Sequence, residues 1–313
     1  MCPARALGLS LGLALLLVAG PAQARTPPAP NSPDSAALAS MPAWLSCPEP
    51  PPAAPQRLDA LLRLAARVHA DLAERGVKVA LVSRSGLDLR AIGHEFSHSG
   101  WLRLEQGGTV RQLYLDCREG RPRVFDEGLA GFLRGVSGQG WPRLSVIEWP
   151  HPEAAALAAT VADDARAQGL VSGVYRAQAP AWSQDSLNCN QWTVELLAVA
   201  FGAEPGRAGA QAWLAQAGYE PSAVRLPGPH WLLAAALSPY TSLQGHPPAD
   251  IEQGIFRTSM PASIEAFIRS RWPQARRTQW CLRDTHLVVR QGWAALGPDC
   301  LEGPQDQVLD WRD

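Results

Sequence analysis

The chain has 313 residues, a formal charge of −1 at pH 7 and 18% charged residues. Charge is close to balanced and no basic patch stands out, so nucleic acid is not an expected partner. The length is ample for one domain with a sizeable core.

The N-terminus has the layout of a cleavable secretory signal, residues 1–24. Arg5 supplies a short positive region, Ala6 to Gly20 is almost wholly apolar, and Ala22-Gln23-Ala24 offers a small-residue cleavage site. The apolar run falls short of the ~20 residues that a spanning helix needs, so no stable membrane span is expected after cleavage. Periplasmic or secreted placement follows. Residues 25–55 are rich in Pro, Ala and Ser and read as a linker. Residues 56–313 are expected to form a single α+β domain.

Within that domain, Leu58, Leu61, Leu62, Leu64, Ala65, Val68 and Leu72 recur at helical spacing over 56–75, and Gly76 closes the helix. Residues 77–82 read as a strand. The segment 93–105 and a strand over 110–117 form a hairpin around Gln106-Gly107-Gly108. A short helix is expected over 126–136 with Asp126 as N-cap, then a strand over 143–149. Helices follow over 152–168, 188–201, 207–217 and 261–271, and short strands over 277–289 and in the last segment. Strands and helices mix without strict alternation, which favours an antiparallel sheet packed on helices over a doubly wound fold.

Cysteine usage narrows the chemistry. Removal of the signal takes away Cys2 and leaves Cys47, Cys117, Cys189, Cys281 and Cys300. An odd number in an oxidising compartment leaves at least one thiol without an intramolecular partner. Cys281 and Cys300 flank a short strand–turn–strand segment and make a candidate disulfide. Cys47 and Cys117 make a second, and Cys189 is then left over. No Cys-x-x-Cys motif supports thiol redox chemistry.

Cys189 stands at the start of a helix, in Ser186-Leu187-Asn188-Cys189-Asn190-Gln191-Trp192. The unpaired N–H groups of a helix start favour a thiolate and could stabilise an oxyanion. A nucleophilic thiol also needs a base and a group that orients the base. If Gln106-Gly107-Gly108 is a three-residue turn, Glu105 faces Thr109 and His98 lies opposite Asp116. A slip of one residue would change the orienting group. His94 shares the strand face of His98 on this reading and is the rival base. A lone cysteine near a helix start is more often a packed residue than a nucleophile. His94, His98 and Cys189 could also bind zinc, but their spacing is not that of a tight metal site.

Several of these residues carry a resemblance. Arg84-Ser85-Gly86-x-Asp88-Leu89, Phe96-Ser97-His98-Ser99-Gly100, Tyr114-x-Asp116-Cys117, Phe125-Asp126-Glu127-Gly128-Leu129 and Asn188-Cys189-Asn190-Gln191-Trp192 resemble, in that order, the bacterial domain-of-unknown-function 2145 family (DUF2145). More distantly, a Ser-His-x-Gly strand followed by an Asn-Cys helix start is similar to the permuted NlpC-like branch of the papain superfamily. That branch holds amidases, peptidases and acyltransferases. This second resemblance implies a permuted papain-like core with additional helices. It implies Cys189 as nucleophile, His98 as base and Asp116 as orienter, with Asn188 and Gln184 as oxyanion donors. The stretch between His98 and Cys189 holds extra segments, including the 152–168 helix.

The leading expectation is therefore an exported, monomeric thiol hydrolase or acyltransferase. It would act on an amide, ester or thioester of a small-molecule, peptide or lipid envelope substrate, without a metal or organic cofactor. The rival is a non-catalytic envelope protein that binds a ligand or protein partner with the same residues.

Overall fold

The structure is a computed structural model that describes residues 54–310, apart from 87–88, 106, 117–118, 136–140, 227–241, 284–285 and 298. In chain order, helix α1 (Pro55–Glu74) leads into strands β1 (Val79–Arg84), β2 (His98–Arg103), β3 (Thr109–Asp116) and β4 (Arg121–Gly128). Helix α2 (Leu129–Arg134), β5 (Arg143–Glu148), α3 (Glu153–Ala162), α4 (Asp164–Gly169), β6 (Val174–Tyr175) and β7 (Ser186–Leu187) follow. Then come α5 (Cys189–Ala200), α6 (Arg207–Gln216), β8 (Ser222–Arg225), α7 (Pro248–Glu252), β9 (Ile255–Thr258) and α8 (Pro261–Arg271). Strands β10 (Arg276–Arg283), β11 (His286–Gln291) and β12 (Gln307–Asp310) close the described chain.

Eight strands form one sheet in the order β12-β11-β10-β5-β1-β2-β3-β4. Every neighbouring pair in it is antiparallel. The α+β expectation therefore holds. No helix among the described residues is long and apolar enough to cross a membrane.

The sheet is covered on both faces, and strand alternation decides what meets which cover. On one face Ala80, Val82, Leu102 and Val110 pack against Leu61, Leu64, Val68 and Leu72 of α1 and Phe132 and Leu133 of α2. On the other, Val79, Leu81, Trp101 and Leu113 pack against Leu157 of α3, Trp192 and Leu197 of α5 and Ile264 of α8. Burying a large apolar side chain of this kind contributes about 1.5–3 kcal/mol. The two cores together make the sheet the rigid reference for everything that follows.

Helix α1 is close to its sequence reading. Its inward residues are Leu61, Leu64, Ala65, Val68 and Leu72, and Gly76 follows it at φ 68°. That left-handed residue lets the Val77 N–H reach back to the Leu72 carbonyl at 3.0 Å. Two expected helices come out differently. The 126–136 helix is in truth the end of β4 followed by α2. Arg111 on β3 faces Asp126 across the ladder and binds both its oxygens, at 2.9 and 2.7 Å, which holds Asp126 in the strand. The 152–168 helix is broken at Asp163, whose side chain accepts from the Ala165 and Arg166 N–H groups and caps a new helix, α4.

Candidate functional site

Helix α5 begins at Cys189, as the sequence suggests, but its first turn is already fully engaged. Asn188 is the N-cap and accepts from the Gln191 N–H at 2.7 Å. Its amide nitrogen donates to the Ala177 carbonyl, the Thr258 hydroxyl and the Ser259 carbonyl at 3.2, 2.9 and 3.1 Å. Asn190 accepts from the Ser99 hydroxyl at 2.9 Å and donates to the Ser97 carbonyl at 3.2 Å, pinning the helix to β2. Gln191 donates to Glu195 at 2.7 Å, and Arg207 binds Glu195 with two nitrogens at 2.9 and 3.1 Å. Gln184, named as an oxyanion donor, gives its amide to Gln211 in this same network. The Asn188 amide is saturated, and one N–H of the Gln184 amide is committed to Gln211.

Cys189 is 1% exposed and is a free thiol. Burial pushes its pKa up, and the pull of the Tyr175 side chain, Arg84 and the Asn190 N–H in the other direction does not offset this. The thiol is therefore the resting form.

His98 occupies the first position of β2, and its surroundings correct the expected register. Trp101 faces Arg111 and Arg103 faces Thr109. Continued along the ladder, this places His98 opposite Tyr114, with ring centroids 4.7 Å apart. The connection runs over residues 104–108, with Gly107 bonded back to Leu104 at 3.1 Å, and is two residues longer than the turn read from Gln106-Gly107-Gly108. Each residue of β3 is displaced accordingly. Asp116, the expected orienter, pairs instead with Arg123 at 3.0 Å and accepts from the Glu119 N–H at 3.3 Å. The group that orients His98 is Gln112, one pleat along from Tyr114, at 2.7 Å from Nε2.

The tautomer follows from the next link. Gln112 donates its amide to Glu127, so its carbonyl oxygen turns to His98. His98 Nε2 therefore carries the proton. Burial, then the charge of Arg84, holds the His98 pKa well below the ordinary imidazole value, so the ring is neutral and Nδ1 is bare. Nδ1 is buried and has no hydrogen-bond partner. His94 is not on the strand with it; it lies in the loop after the short 3-10 turn Arg90–Ile92.

The decisive geometry is the face on which each group sits. His98 shares its face with Leu102 and Val110, and its ring lies 5.7 Å from Phe132 of α2. Ser99, the next residue, points the other way and bonds Asn190 of α5. Thus the imidazole and helix α5 lie on opposite faces of the sheet, and no hydrogen bond joins His98 to the Cys189 sulfur. Of the expected triad, Asp116 pairs with Arg123 instead of His98, and no hydrogen bond links His98 to Cys189. Among the described residues, no three His, Cys, Asp or Glu side chains are grouped to hold a metal ion.

Cys281 and Cys300 form the expected disulfide. Cys47 and Cys117 lie outside the described residues.

On the His98 face, a row of polar residues runs across neighbouring strands. Arg84 of β1 is paired directly with His98. Tyr114 follows on β3, with Gln112 one pleat along and Glu127 beyond it, bonded to Gln112. Arg84 and Glu127 belong to sequence motifs noted above but carry no role in that reading. Gln112 lies in none of those motifs. The signal that could have found it is the alternation Val110-x-Gln112-x-Tyr114, an amide set between two residues of a buried face.

An α+β protein with a broad antiparallel sheet and a buried polar row on one face is what fold and site define. Residues 71–268, well over half the chain, match the family model described as "uncharacterized protein conserved in bacteria (DUF2145)", and the chain belongs to that family. No curated protein and no solved structure matches it.

Proposed function

We propose that this chain is an exported, non-catalytic envelope protein that binds a ligand or partner, and that Cys189 is a packed structural thiol. The observation that carries this reading is orientation: Ser99 bonds Asn190 of α5, whereas His98, next to it on the strand, packs on Tyr114 and Phe132. A permuted papain-type core would need the histidine strand to turn its imidazole toward the cysteine helix. Here the pleat sends Ser99 to that helix and His98 away from it. The saturated amide of Asn188 supports the same conclusion, since an oxyanion hole needs donors with nothing else to bind. Export rests on the signal-like segment 1–24 and the proline-rich linker after it.

The thiol-hydrolase reading keeps one observation in its favour. Cys189 is unpaired and takes the first helical position of α5, where the helix dipole favours a thiolate. One experiment separates the two. The native mature protein is treated with iodoacetamide near neutral pH and Cys189 is followed by peptide mass mapping. The expected result is a thiol that labels only after denaturation. Prompt, stoichiometric labelling that slows in His98→Ala would overturn the binding reading and restore the enzyme.

A further inference from the structure

Six arginines are buried among the described residues: Arg84, Arg103, Arg111, Arg143, Arg207 and Arg277. Five of them pair with a carboxylate. Arg103 and Arg111 take Asp126, Arg143 takes Glu95, Arg207 takes Glu195 and Arg277 takes Glu265. Arg84, 1% exposed, has no such partner. Its guanidinium donates to the Gly135 carbonyl at 2.5 Å and the Tyr114 hydroxyl at 2.8 Å, and lies 5.3 Å from the Phe132 ring centroid. All three are neutral. Glu127 feels the positive charge but forms no ion pair with it. A buried charge without a counter-ion is costly, and native interiors seldom leave one so.

The second observation is independent of the first. Arg84 Nε and His98 Nδ1 are both buried with no hydrogen-bond partner. They belong to directly paired residues on one face of the sheet. One is an N–H donor on a cation. The other is a bare ring nitrogen, an acceptor, because Gln112 fixes the proton on Nε2. A ligand that satisfies both must be anionic and must also carry a proton to donate. A carboxylate or a sulfate dianion carries the charge but no such proton. A phosphate group with one P–OH carries both.

We propose that the Arg84–His98–Tyr114 row is the floor of a binding site for a protonated phosphate group, with Arg84 Nε–H donating to a phosphoryl oxygen and the P–OH donating to His98 Nδ1. Tyr114 and Glu127 are each partly exposed, whereas Arg84 and His98 are buried. The site deepens the binding reading and rests on it for its use in the protein. It does not depend on the state of Cys189.

The test uses the full mature chain and inorganic phosphate as probe. Titration calorimetry near pH 6.5 is expected to give saturable one-to-one binding, with sodium sulfate at equal ionic strength giving none. Free phosphate and a phosphomonoester such as glycerol phosphate, titrated side by side, distinguish an inorganic ligand from a phosphorylated one by which binds tighter. Arg84→Met, checked for wild-type folding by circular dichroism, is expected to weaken binding at least tenfold. A second readout needs no variant. The ¹⁵N resonance of His98 Nδ1 is expected at the position of a bare ring nitrogen and to move toward the hydrogen-bonded position as phosphate is added. Absent saturation, equal binding of sulfate, undiminished binding by a folded Arg84→Met, or an unmoved Nδ1 resonance would each overturn the site. These failures leave the iodoacetamide result on Cys189 as it stands, so the site and the binding reading fail separately.

Discussion

Two polar clusters, one on each face of the sheet, have opposite character. Around the start of α5, each buried amide and charge that the sequence motif brings in has its complement: Asn188 with three acceptors, Asn190 with Ser97 and Ser99, Glu195 with Arg207, Gln191 and Gln211. Around Arg84 and His98, on the far face, a cation lacks a counter-ion and two polar atoms lack partners. A saturated network fixes a fold. An unsaturated one stores binding capacity, because burial there has already been made costly. The motif that looks most chemical along the chain, Asn188-Cys189-Asn190-Gln191-Trp192, is the hydrogen-bonded one of the two.

This contrast can be broken most sharply by charge deletion. Arg207→Met strands the fully buried Glu195 carboxylate and is expected to cost about 3–5 kcal/mol in urea unfolding. Arg84→Met strands no carboxylate and loses only bonds to two neutral acceptors, so it should cost about 1–2 kcal/mol. Equal losses would erase the distinction between the faces.

Next in size is Asn188→Ala. It removes a helix cap, worth about 1 kcal/mol, together with three bonds that tie α5 to the segment before β7 and to the end of β9. A destabilisation of about 2–3 kcal/mol by the same measurement is expected. A neutral result would mean that the helix start is looser than its hydrogen bonds imply.

The pH dependence sharpens the other face. Unfolded, His98 takes a proton near pH 6.5, whereas the folded ring stays neutral until well below that. The folded state thus binds fewer protons in this window. Stability is full above about pH 6.5 and falls as pH drops toward the folded pKa, by at most about 1.4 kcal/mol per pH unit. His98→Gln should abolish that part of the slope, since the remaining titrating groups are common to both proteins. An unchanged slope would place the protonated ring inside the folded protein.

The smallest effect belongs to neither face. Asp59 and Arg63 pair on exposed α1 at 3.0 Å with more than half of each side chain in solvent. Asp59→Asn should change stability by less than about 0.5 kcal/mol. A larger loss would mean that even surface pairs here carry weight and would weaken the argument from buried ones.

Much of the local order is legible along the chain. The apolar spacing of α1, the Gly76 stop, the boundaries of α5, α6 and α8, and the pairing of Cys281 with Cys300 all depend on residues close in sequence or on short-range geometry. So does the α+β class, since it follows from the kinds of segment present. Family membership is carried by short ordered motifs.

The site is different, and the reasons are physical. Whether the hairpin connection takes three residues or five is a small difference in turn energy, yet it replaces Asp116 with Tyr114 opposite His98 and makes Gln112 the orienting group. Asp126 looks like a helix cap until Arg111, fifteen residues earlier, claims both its oxygens from the neighbouring strand. Above all, the period-two pleat tells that His98 and Ser99 face opposite ways, but not which of them meets α5. That choice is made by connections that carry the chain over one side of the sheet or the other, and by a core that must be buried on both. The residue types needed for thiol chemistry are written in the sequence; the tertiary fold decides that Ser99, and not His98, bonds the first turn of α5.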